Sequence, residues 1–289
     1  MKHTEKAPAK INLYLNVTTK RNDGFHDIES VMQTVDLCDV LHFDFFPAEE
    51  TKISLSFSKP CNLPTDEKNL IVRAAKAFLE AAGETAEISI LLEKNIPMAA
   101  GLGGGSADAA ATLRALDTML PGTLSKAALL ELAASLGSDV PFCLLGGRAL
   151  CYGRGEEMVA LPMKETYFGV LANTDEEVST PKAYGKLDEI YHNFDKSTLL
   201  PLDLSNRDML KPVLNGEMPP CYNIFEEAVL PLCKKAQAAK VLLFEMGADV
   251  SMMSGSGPSV FALTKDIALS EKMQEALLSR GYKAVLFSF

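Results

Sequence analysis

The stretch Pro97-Met98-Ala99-Ala100-Gly101-Leu102-Gly103-Gly104-Gly105-Ser106-Ala107 puts four glycines into five positions, between a predicted strand and a predicted helix. Without Cβ atoms, backbone N–H groups there lie open to a polyanion. The helix that follows adds the positive end of its dipole and its unpaired first-turn N–H groups. Together these predict a phosphate cradle. No Gly-Lys-Ser/Thr follows, so this is not a Walker A loop, and the flanking chain lacks the order of a βαβ dinucleotide fold. Tight turns and close helix packing use the same residues, so the glycines by themselves leave a packing reading open.

Around this loop the chain alternates strand and helix signals. Ile11, Leu13, Leu15 and Val17 alternate with Asn12, Tyr14 and Asn16, which predicts a half-buried strand with a polar face. Lys10 and Asn12 share that polar face by the period of two. Residues 21–24 (RNDG) signal a turn, and 30–35 and 40–46 read as two further strands. A helical stripe over 69–82 and an alternating strand at 88–92 lead into the loop, with helices predicted from Ser106 and over 125–136. Ser106 is placed as the helix cap, with a phosphate or Mg²⁺ contact open to it. The second half reads as strand 167–172, helix 180–191, a polar stretch, helices over 223–246, strands 249–253 and 259–263, helix 267–280 and strand 283–287. Helices on one face of a mixed sheet predict an α+β class.

The chain has 289 residues, which suits two lobes, divided here as 1–155 and 156–289. No apolar run approaches the roughly 18 residues of a membrane span, and the first ten residues are polar, so a soluble, unprocessed, cytoplasmic protein is expected. Six cysteines without a CxxC pair read as buried thiols in a reducing compartment. Four histidines without ligand spacing give no zinc site, and no protein metal ligand is assigned. A net charge of −10 argues against nucleic-acid or membrane partners. Residues 1–21 run against that trend: Lys2, Lys6, Lys10, Lys20 and Arg21 face Glu5 alone, a local +4 that leaves −14 elsewhere. Beside a phosphate loop, that patch is a candidate anion clamp.

Phosphoryl transfer needs a carboxylate to take the hydroxyl proton and a cation to balance growing charge. Taken alone, Asp139 in GSDVP reads as a turn or capping residue and Lys10 as a solvent-facing lysine. PMAAGLGGGSADAA, however, resembles the second motif of the GHMP kinases, a family of ATP-dependent small-molecule kinases. KAPAKINLYLNV is similar to that family's first motif and SMMSGSGPSVFAL, residues 251–263, to its third. The similarity runs from Lys6 to about Ala262 and is weaker over 185–220. It implies a two-lobed fold, with an N-terminal ATP-binding lobe, a C-terminal ferredoxin-like substrate lobe and an active site in the cleft between them. It also implies ATP bound by residues 97–107, with Mg²⁺ held mainly by the ATP phosphates. By the same resemblance Asp139 is the catalytic aspartate, taking the substrate's hydroxyl proton, and Lys10 is the lysine that eases that loss. Asn12 then hydrogen-bonds the substrate near the reacting hydroxyl.

Phe25 and His26 follow the turn, where an aromatic beside a histidine packs a core or stacks a pyrimidine. RNDGFHDIESVMQTVDLCDVL and LGSDVPFC resemble those family members whose substrate carries a cytidine diphosphate group. That resemblance places cytosine against Phe25 and His26, with Tyr184, in the segment that also holds Thr180, on the opposite face. Phe25 stands where tyrosine is expected and Ala107 where serine is frequent, which removes a hydroxyl at each place. Another GHMP kinase, such as a homoserine kinase, and a non-catalytic binding protein of the same fold are the alternatives. DGFHDIE separates the first from this reading, and retention of Lys10, Asp139 and the whole loop separates the second.

Overall fold

The computed structural model describes residues 1–192 and 207–289. In chain order the elements are β1 (Lys2–Lys20), β2 (His26–Pro47), β3 (Lys52–Phe57), α1 (Leu70–Ala82), β4 (Ala86–Glu93), α2 (Gly104–Met119), α3 (Lys126–Leu136), α4 (Val140–Leu145), β5 (Arg148–Tyr152), β6 (Glu157–Leu161) and β7 (Phe168–Asn173). There follow α5 (Thr180–Ile190), α6 (Arg207–Leu214), β8 (Tyr222–Asn223), α7 (Phe225–Val229), α8 (Lys234–Glu245), β9 (Val250–Met253), β10 (Val260–Thr264), α9 (Ile267–Leu278) and β11 (Lys283–Ser288). The polar stretch expected after the helix at 180–191 lies partly outside the described residues.

The chain forms two compact units that interleave along the sequence. One comprises residues 1–10, 37–98 and 103–146, the other 11–36, 99–102 and 147–289. The expected division at 155 and 156 is a single cut, whereas β1, β2 and the glycine loop each contribute to both units.

In the first unit β4 pairs antiparallel with β2, Val40 opposite Glu93, and parallel with β3. Strict alternation in β4 buries Ala86, Ile88, Ile90 and Leu92. Asn69 caps α1 by accepting from the Ile71 N–H, and Ser125 caps α3 by accepting from Ala128 N–H. Helix α2 is buried along most of its length; Ala107, Ala109, Ala110, Ala111 and Ala115 are all fully covered. Its small side chains let α1 and α4 pack closely against it.

In the second unit β5 pairs antiparallel with β2 and β6, and Tyr14 of β1 lies opposite Tyr222 of β8 in parallel register. A separate sheet runs β11-β7-β10-β9, all antiparallel. With α8 before β9 and α9 before β11, this is a βαββαβ order, the ferredoxin-like arrangement, carrying α5 to α7 as an insertion.

Three expectations about the elements change. The strands at 30–35 and 40–46 are one continuous strand, which passes from pairing with β5 at 30–33 to pairing with β4 at 40–47. The strand around 11–17 is buried on both faces: Asn12, Tyr14 and Asn16 are as covered as their apolar neighbours. Of the cysteines, Cys143, Cys151 and Cys233 are buried, but Cys38, Cys61 and Cys221 are only half-buried; all six are free thiols.

Candidate functional site

Strand β1 carries Lys10 into the first unit's interior with only 6% of its side chain exposed, and its ammonium lies 3.3 Å from Asp139 Oδ2. A buried ammonium needs such a partner, since desolvation otherwise outweighs any packing gain. Asp139 occupies the N-cap position of α4, but its side chain makes no capping bond. The turn-or-cap reading is thus right for the backbone, while the carboxylate is turned to Lys10. Lys10 is not the solvent-facing residue its position suggests.

The glycine loop meets these residues directly. Gly103 has φ +66°, and a Cβ there would sit 3.0 Å from Lys10 Cγ. Gly103 therefore serves both a left-handed turn and the close passage of the lysine stem. Helix α2 begins at Gly104, with Gly103 as an N-cap that has no side chain to offer. Its first-turn N–H groups are therefore left without a side-chain cap, which is the condition for an anion to take that place. This corrects the cap assigned to Ser106: the helix starts two residues earlier, and Ser106 is its third residue. Ala107 is fully buried, and its N–H donates to Gly103 O at 2.8 Å, so its side chain belongs to the helix core.

Further back in the loop, Ala99 has φ +53° and Met98 is exposed, its sulfur 3.8 Å from Cys61 Sγ, while Ala100 and Leu102 are buried. Within the second unit Gly101 touches the segment after β9. A Cβ at Gly101 would fall 2.1 Å from Ser254 O, and Ser254 Oγ donates to Gly101 O at 3.0 Å. Asn223 holds that same segment by donating to Met253 O and Gly255 O, each at 2.8 Å.

Sequence reasoning missed a buried ionic cluster under the loop. Lys94 bridges Asp39 and Asp108, the latter at 3.0 Å, and Asp39 Oδ1 accepts from the N–H groups of Asn95 (2.5 Å) and Ile96 (2.8 Å). A Cβ at Gly104 would lie 3.0 Å from Lys94 Nζ. Asp108 Oδ1 is buried and has no donor. Burial pushes the Asp108 carboxyl up, to about 7, against the pull of Lys94. Nothing in the local sequence marks Lys94 or Asp108, since α2 itself carries a second aspartate, Asp117.

Four of the five basic residues expected as an anion clamp in 1–21 are paired with carboxylates. Lys2 pairs with Asp44, Lys10 with Asp139, Lys20 with Asp188, and Arg21 with Asp23 and Asp27. Each of these charges is neutralised by a carboxylate distant or adjacent in sequence, which a count over one segment does not register.

In the second unit Asn12 is buried, and its Nδ2 donates to Ser30 Oγ at 2.8 Å, which donates in turn to Tyr14 O. Its amide nitrogen ties β1 to β2. His26 Nε2 lies 2.7 Å from Asp188 Oδ1, and Lys20 donates to the other Asp188 oxygen at 2.6 Å. Burial works to raise the Asp188 carboxyl, but these two hydrogen bonds outweigh it and hold it below its usual range. The Tyr184 ring stacks on His26, centroids 4.7 Å apart, and meets Phe225 edge-on at 4.8 Å. Phe25 is half-exposed, under the Arg154 guanidinium at 5.1 Å. Thr180 Oγ1 is 2.9 Å from Ser256 Oγ. Tyr184 and His26 are thus in direct contact, and Phe25 lies against Arg154.

The pattern described as the GHMP kinases N terminal domain matches residues 69–147, and that of the GHMP kinases C terminal domain matches 204–284. The 4-diphosphocytidyl-2-C-methyl-D-erythritol kinase of Exiguobacterium sibiricum is 38% identical over 278 residues, covering 96% of this chain and 93% of that protein. The protein of the same name from Bacillus subtilis is 38% identical over 284 residues, covering 98% and 94%. A crystal structure of 4-(cytidine 5'-diphospho)-2C-methyl-D-erythritol kinase superimposes with a TM-score of 0.78 at 33% identity, covering 100% of this chain and 98% of that one. A homoserine kinase structure from Cytophaga hutchinsonii shares the fold at 21% identity and a TM-score of 0.73, covering 99% and 94%.

Proposed function

The chain belongs to the GHMP kinase family, and from that premise we propose that it transfers the γ-phosphoryl group of ATP to the 2-hydroxyl of 4-diphosphocytidyl-2-C-methyl-D-erythritol, a step of non-mevalonate isoprenoid precursor synthesis. The observation that carries the reading is the Lys10 and Asp139 pair at 3.3 Å, with the glycine loop pressed against the lysine. Asp139 accepts the hydroxyl proton as the oxygen attacks, and Lys10 stabilises the developing alkoxide. Residues 97–107 hold the ATP phosphates, chiefly through the uncapped first turn of α2. Bound ATP supplies the phosphoryl group, and Mg²⁺ offsets the charge on its oxygens. By the family resemblance, Mg²⁺ would be held mainly by those phosphates.

Phe25, His26, Thr180 and Tyr184 are assigned to the cytidine end. Support comes from the relatives' names and from the packing of His26 against Tyr184 and Asp188. Among the described residues no helix is long and apolar enough to cross a membrane, and the six cysteines are free thiols, which favours reaction in the cytoplasm. The deciding experiment measures ADP release with the cytidylated erythritol, homoserine and mevalonate in parallel. Turnover of the first alone is expected; preference for homoserine or mevalonate rejects the substrate, and no turnover of any rejects the enzyme.

A further inference from the structure

We propose that Arg114 is a positioning residue for the Lys10 and Asp139 pair, an inference that rests on the phosphoryl transfer just described. Arg114 lies on α2, ten residues after Gly104. Its guanidinium makes three hydrogen bonds in three directions: Nε to Glu5 Oε1 at 2.8 Å, Nη2 to Lys6 O at 2.7 Å and Nη1 to Cys143 O at 2.8 Å. Two of the acceptors are backbone carbonyls on separate elements.

Their positions give the contact its consequence. Lys6 is four residues before Lys10 on β1, so the carbonyl held by Arg114 sets the strand's course into the site. Cys143 is four residues after Asp139, and its N–H donates to Asp139 O at 3.0 Å. The carbonyl that Arg114 holds and the residue that bears the carboxylate are thus the two ends of one helical turn. A planar guanidinium, fixed by Glu5, is the common reference for both. The helix that carries it also forms the first turn of the phosphate loop. Lysine offers one compact ammonium on a flexible stem and cannot reproduce a rigid three-way fork.

The test is Arg114→Lys, assayed beside wild type with ATP and the cytidylated erythritol. Expected is a kcat lower by about 10- to 100-fold, with KM for ATP and for the acceptor within about twofold, since a misplacement near 1 Å acts on the transferred proton and not on ground-state binding. A crystal structure of the variant should show Lys10 Nζ and Asp139 Oδ2 moved beyond hydrogen-bond reach. Wild-type kcat in a folded variant, or an unchanged separation, overturns the inference. A parallel rise of KM and fall of kcat does the same, because it reports general loosening. If Arg114→Lys does not fold, Glu5→Gln decides: kcat should fall with both KM values unchanged, and wild-type kcat overturns the inference. Absence of turnover in the wild type would refute the proposed reaction instead, and the measured separation would still judge Arg114.

Discussion

Asp139 occupies the N-cap of α4 yet turns its carboxylate out of the helix to lie 3.3 Å from the Lys10 ammonium. A free cap would have gained a hydrogen bond from its own helix. The side chain is turned instead to a partner 129 positions away in sequence.

Asp139→Asn keeps the shape and removes the proposed base. Turnover should drop by about 10²- to 10⁴-fold, the usual contribution of a general base. ATP binding, followed by calorimetry, should change little. Near-normal turnover with both substrates bound would show that the proton goes elsewhere.

Gly101 is the loop position least able to carry a side chain. Alanine there would combine φ +70° with a Cβ 2.1 Å from Ser254 O. Gly83, with φ +68° and nothing within 4 Å, isolates the backbone penalty of about 1–2 kcal/mol. Thermal unfolding should rank Gly101→Ala well below Gly83→Ala, by roughly 4 °C or more, and only the former should weaken ATP binding. Equal melting temperatures refute the contact.

Asp108 predicts a pH dependence of stability. Its carboxyl is raised from an ordinary 3.8 to about 7 by burial, with Lys94 opposing. The folded state therefore keeps a proton that the unfolded chain releases, and this contribution is complete below pH 4 and lost as pH rises to about 7. Asp108→Asn removes the titrating group and leaves Lys94 paired with Asp39. Its urea-unfolding stability should gain on wild type steadily between pH 4 and 7. Parallel curves over that window contradict the assignment.

Phe25 tests the cytidine end. Loss of a base stacked on an aromatic ring is worth about 1–3 kcal/mol, so Phe25→Ala should weaken acceptor binding by about 5- to 150-fold. ATP affinity should stay unchanged. A substrate without cytosine that turns over as well as the full one removes the pocket from the account.

Local patterns determined a good deal. The helices expected over 69–82 and 125–136 form, with Asn69 and Ser125 as their caps, and β4 alternates as its residues do. These features depend on neighbours within a few positions, where hydrogen-bond geometry and side-chain period act directly. The glycine loop was equally legible as a strand-to-helix turn. Why it needs glycine at 101, 103 and 104 was not, because Ser254, Lys10 and Lys94 approach from distant parts of the chain.

Burial and charge pairing were decided by the tertiary structure alone. Lys10 and Asn12 read as surface residues from a period of two, but both faces of their strand are covered. In the basic run at 1–21, folding brings Asp44, Asp139 and Asp188 to Lys2, Lys10 and Lys20, pairings that the run itself does not show. Lys94 gave no signal without Asp39 and Asp108 beside it. A short-range pattern records the preferences of the backbone, whereas desolvation and Coulomb interaction depend on distances that exist only once remote segments have packed together.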